Sequence, residues 1–91
     1  MSFESLPGNE YILAGIEDLT RRIESVPSLL VSIGAPRLRR LGLPVPDDVL
    51  PCPEHRLYER LRREDPDAAH SRYNALIRRL VSFERAAECG K

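Results

Sequence analysis

The 91-residue chain has no run of apolar residues approaching the about 18 that a membrane-spanning helix requires. Its opening, MSFESLPGNE, has neither the basic nor the apolar stretch of a secretory signal. Cytoplasmic residence is the expectation. Charge of one sign is not in excess either: 14 Lys+Arg face 14 Asp+Glu, for a formal net charge of zero. That removes the generic electrostatic argument for nucleic-acid binding and leaves only local patches. With only Cys52 and Cys89 there is no disulfide framework, and in a cytoplasmic chain both are expected as reduced thiols. No alternation of β-branched and aromatic residues marks a strand. The glycines at 8, 15, 34, 42 and 90 stand singly, so there is no Gly-rich loop to cradle a phosphate.

What the chain does have is helical periodicity. Over residues 65–90, Ala69, Tyr73, Leu76, Leu80, Phe83 and Ala87 recur at alternating spacings of four and three, one apolar face of a helix. Asp65 is the expected N-cap, Pro66 the first helical residue and Gly90 the stop. Such a helix is roughly 35 Å long, whereas a chain of this size has an expected radius of gyration of about 12 Å. The helix should therefore span the molecule and offer more seam than the chain can cover.

From Asn9, the expected cap, Ile12, Ile16, Leu19, Ile23 and Val26 repeat the same seam, and Pro27 predicts an end near Ser25. SLLVSI then reads as a short buried helix closed by Gly34, and PRLRRL as a second short one stopped by Gly42. The proline-rich LPVPDDVLPCP is a tether that brings Leu43, Val45, Val49 and Leu50 onto the helices. Pro53 opens a medium helix to about Glu64, with Leu57, Tyr58 and Leu61 inward and Arg56, Arg60 and Arg63 as a basic stripe outward. The predicted fold class is all-α: a small helical bundle of two long, one medium and one or two short helices, over residues 9–90, behind a flexible tail at 1–8.

Three kinds of site merit weighing. Cys52 and His55 form a CxxH pair, but His70 and Cys89 stand nineteen residues apart on one helix, nearly 28 Å at about 1.5 Å per residue, and cannot share an ion with each other. No metal or other cofactor is expected. Nor does an oxyanion-type segment or a nucleophile–base–orienter set accompany Cys52 and His55, so the chain reads as no enzyme. Ser28 to Leu43 fits a helix-turn-helix poorly, with Gly34 in the turn and PRLRRL as recognition helix. DNA binding through Arg-rich helices is thus the alternative rather than the first reading.

The first reading is a regulatory module acting by protein–protein interaction. All but one of the 14 basic residues are Arg, which suggests a GC-rich bacterial or phage source. The unfilled seams of Tyr73, Leu76, Leu80 and Phe83 and of Ile12, Ile16, Leu19 and Ile23 predict a homodimer. The partner-binding candidates are Arg56, Tyr58, Arg60 and Arg63 together with Leu43, Val45 and Val49, because Tyr and Arg are enriched at binding hot spots. A structural subunit of a larger assembly is a further alternative.

Overall fold

The computed structural model describes residues 3–89, and in them the periodicity becomes four α-helices with no strand. These are α1 (Asn9–Thr20), α2 (Val26–Arg40), α3 (Pro53–Glu64) and α4 (Ala69–Cys89), preceded by a short 3-10 turn at Phe3–Ser5. The all-α bundle is as the sequence predicts, but several boundaries are not. The stop expected at Gly90 lies outside the described residues.

α1 ends five residues before the predicted Ser25. Its closing turn is a Schellman motif, in which Arg22 N–H donates to the Leu19 carbonyl at 3.0 Å and Ile23 N–H to that of Asp18 at 2.8 Å. Ser25 instead opens the next helix. Its hydroxyl accepts from Ser28 N–H at 3.1 Å, its own N–H donates to the Ser28 hydroxyl at 2.7 Å, and its Oγ donates to Asp18 at 2.6 Å. Pro27 therefore sits in the first turn of α2, where a missing N–H is harmless.

The two short helices predicted across 28–41 are one helix. Gly34 and Pro36 both lie inside α2, although an interior proline normally costs about 3 kcal/mol. Burial outweighs that cost: Leu29, Leu30, Val31, Ala35 and Leu38 are at most 1% exposed, and fully burying one such aliphatic side chain is worth about 1.5–3 kcal/mol. There is consequently no turn at Gly34, and residues 28–43 do not form the helix-turn-helix.

α4 begins at Ala69 rather than after Asp65, which is the C-cap of α3 in extended conformation. A single turn over 66–68 intervenes, closed by Ala68 N–H donating to the Asp65 carbonyl at 3.2 Å.

α2 is the axis of the bundle, and α1, α3 and α4 all pack on it. α1 runs antiparallel to it. Gly15 lets them pack closely, since a Cβ there would lie 2.3 Å from the Pro27 carbonyl oxygen. α4 runs parallel to α2, with residue 34 beside 80 and 84 and residue 37 beside 84 and 88. Residues 3–8, expected as a tail, lie against the core: Leu6 is buried, and the Phe3 and Phe83 rings are 6.0 Å apart.

The tether is pinned by hydrogen bonds. Arg39 donates to the carbonyls of Val45 and Pro46, and Leu50 N–H donates to Ser32 Oγ at 3.2 Å.

Candidate functional site

Tertiary structure separates the residues that the sequence groups as partner-binding. Leu43 and Val45 are buried at 4% and 8% exposure, so neither is available to a partner. Val49 is half-buried against the same core. The reason is the Arg39 clamp, which draws the start of the tether down onto the helices. Tyr58 leaves the arginine stripe as well, packing edge-on against Tyr73 with ring centroids 5.8 Å apart. Both rings fill the α3–α4 contact, where burial and the Glu54 carboxylate raise the Tyr73 phenol above its ordinary pKa.

Arg56, Arg60 and Arg63 do share one face. With His55, Glu24 and Glu59 they line a shallow polar concavity of about 300 Å³. Arg56 is tied to Glu24 at 3.0 Å, while Arg60 and Arg63 form no ion pair among the described residues. Two carboxylates within the concavity dilute its positive charge.

The seams are filled from within the chain. Ile12, Ile16, Leu19, Leu76, Leu80 and Phe83 are buried, and Tyr73 is half-buried. Ile23 departs from its predicted seam, because α1 has already ended, and it stands 45% exposed in the link to α2.

Cys52 and Cys89 are both exposed. Among the described residues no three His, Cys, Asp or Glu side chains converge as metal ligands would.

A further surface lies between α2 and α4. Ile33, Pro36, Arg37 and Arg40 form one wall, Ile77 and Val81 the other, and Gly34, Leu80 and Glu84 the floor of a groove of about 350 Å³. Parallel packing builds it. Gly34 brings the two helices close, since a Cβ there would stand 2.9 Å from Leu80 Cδ1 and 3.2 Å from Glu84 Oε2. Ile33, Ile77 and Val81 beside that line are only partly covered.

Glu84 is the unusual member of the groove. It is a carboxylate 5% exposed, and burial holds it above its usual pKa, against the lowering effect of Arg37. Arg37 gives its Nε and Nη2 to Glu88, at 3.2 and 2.8 Å, and meets Glu84 only through Nη1 at 3.6 Å. Single-seam reasoning overlooks this surface. The signal for it is the pair of doublets Leu76-Ile77 and Leu80-Val81: at about 100° per residue, each second member widens the apolar arc toward α2.

Comparison of the chain with protein-family models, with curated proteins and with solved structures finds no match.

Proposed function

We propose that this chain is a small non-catalytic interaction module, and that it binds another protein through the groove between α2 and α4. The observation that carries the reading is the set of half-covered aliphatic side chains, Ile33, Ile77 and Val81, facing one another across a concavity. A partner that covers these side chains gains apolar area that the chain itself leaves partly exposed. A regulator that occupies the surface of a larger factor fits this chemistry.

Self-association follows less directly than the sequence suggests. The chain itself covers the seam that its sequence predicts to be left over. We therefore take the partner to be a different protein. The α3 stripe is the second surface, favoured by the unpaired Arg60 and Arg63. Its ligand would be an acidic segment or a nucleic-acid backbone, bound with a steep salt dependence.

A photo-crosslinking residue at Val81 tests the proposal in the host cell. The expected product is an adduct heavier than two copies of the chain, lost when Ile77→Glu is introduced and retained when Arg60→Glu and Arg63→Glu are combined. An adduct of twice the chain's mass would assign the groove to a second copy. An adduct abolished by the arginine changes alone would move the site to α3.

A further inference from the structure

Resting on the α3 arginine stripe as a binding surface, and independently of the α2/α4 groove, we propose that Arg60 and Arg63 take an Asp or Glu carboxylate from an acidic segment of a partner protein. The three guanidinium groups of the stripe are not equivalent. Arg56 is occupied, held by Glu24 at 3.0 Å. Arg60 and Arg63 line the same concavity, and their side chains make no hydrogen bond or ion pair with any described residue. Of the arginine side chains without such a partner, Arg22, Arg62, Arg63, Arg78 and Arg85 are exposed, and Arg60 alone among the described residues is half-buried. Partial burial leaves that side chain fewer rotamers to lose, so less ordering opposes binding there.

Less than one helical turn separates the two residues, about 4.5 Å along α3, so both heads can converge on one carboxylate. That group offers two oxygens with about four acceptor sites, and each guanidinium brings N–H donors in a fork that matches it. The surrounding carboxylates decide what kind of anion enters. Glu24 and Glu59 stand in the concavity itself, and Glu54 and Asp65 lie beyond the two ends of the stripe. From residue 56 to residue 63 the stripe is only about 10 Å long. A nucleic-acid strand carries a charge about every 3.4 Å of its axis, and along this face it would set phosphates against those carboxylates as well. A protein segment carries its charge on separate side chains. One acidic side chain can therefore meet Arg60 and Arg63 while uncharged neighbours pass Glu24 and Glu59.

The test uses the intact chain, ¹⁵N-labelled, titrated with a capped alanine pentapeptide bearing one central Glu, with its Gln counterpart and with a short oligothymidylate, following backbone amide shifts. The expected result is saturable shifts at Glu59, Arg60 and Arg63 with the Glu peptide, at a Kd on the order of millimolar for two charge-assisted contacts. The Gln peptide should bind at least about fivefold more weakly, and Arg60→Ala and Arg63→Ala should each weaken the Glu peptide by a similar factor. Arg62→Ala removes the same charge from outside the concavity and should change the Kd by less than about twofold. Arg63 is exposed, so its variant serves if Arg60→Ala does not fold. Equal binding of the Gln peptide, equal losses from Arg62→Ala and Arg63→Ala, or no saturable shift overturns the assignment. Tighter binding of oligothymidylate, lost in Arg63→Ala, would keep the stripe as a surface and assign it to nucleic acid instead; no shift with any of the ligands would remove the surface as well.

Discussion

Two helix ends in this chain use the same closing geometry with different residues, which lets the backbone cost be read directly. At the end of α2, Gly42 takes the left-handed position at φ 98°, and the following N–H, from Leu43, donates to the Leu38 carbonyl at 3.1 Å. At the end of α1 the same position falls to Arg22 at φ 61°. A side-chain-bearing residue there is strained by about 1 kcal/mol or more, whereas glycine is not. Arg22→Gly should therefore raise the unfolding free energy by about 0.5–1 kcal/mol, and Gly42→Ala should lower it by about 1 kcal/mol. A Cβ at Gly42 meets nothing within 4 Å, so the second change measures conformation alone. Urea denaturation of both variants decides the matter. Gly15 is different in kind. Its added methyl would strike the Pro27 backbone, which cannot swing aside, and Gly15→Ala should cost about 2–3 kcal/mol by overpacking.

Glu84 makes stability depend on pH. Burial lifts its carboxyl above the usual value of about 4.5, with Glu88 adding to the rise and Arg37 opposing it. The folded state thus keeps a proton that the unfolded chain has already lost. By linkage, stability declines as pH rises from about 4.5 through the folded value. Glu84→Gln removes that decline, so its stability advantage over the parent should be larger at neutral pH than near pH 4. Urea midpoints at the two pH values check the sign; an advantage that shrinks toward neutral pH would contradict it.

Among elements, α4 supplies the core with large side chains. Leu80 is 4% exposed and faces α2 at Gly34, and Phe83 is fully buried with the Phe3 ring beside it. Placing an unpaired charge in such a site is among the few substitutions that cost about 4 kcal/mol or more. Leu80→Asp should therefore abolish the cooperative thermal transition followed by circular dichroism. The elements were the most legible feature of the sequence. The seams of α1 and α4 name Ile12, Ile16, Leu19, Leu76, Leu80 and Phe83 as buried, because 3.6-residue periodicity is a local property that survives whatever the helix packs against. The candidate site was far less legible. Leu43 and Val45 carry two expectations in the sequence, docking onto the helices and contact with a partner, and their burial, with Arg39 reaching the carbonyls of Val45 and Pro46, decides for the first.

For the whole molecule, the comparison that matters is between helix length and molecular size. α4, with 21 residues, is about 31 Å long, and the molecule measures 39 × 25 × 17 Å with a radius of gyration of 12.6 Å. An elongated shape accommodates the helix without a second chain. The accessible surface is 5523 Å², against about 5,400 Å² for a compact monomer of 10.3 kDa. Light scattering of the isolated chain at micromolar concentration should then give the monomer mass; a dimer that persists on dilution would restore the self-association argument.

By itself, the sequence determined that this chain is helical, which faces are apolar, and that α3 carries an arginine stripe. Each of these rests on spacing within a single segment. Tertiary structure decided whether Pro27, Gly34, Pro36 and Asp65 begin, interrupt or end a helix. The same residue serves any of those roles, and burial of neighbours distant in sequence selects among them. It also decided that Ile33, Ile77, Val81 and Glu84 share a groove. No one-dimensional pattern joins residues more than 40 positions apart, and only the parallel packing of α2 on α4 brings them together.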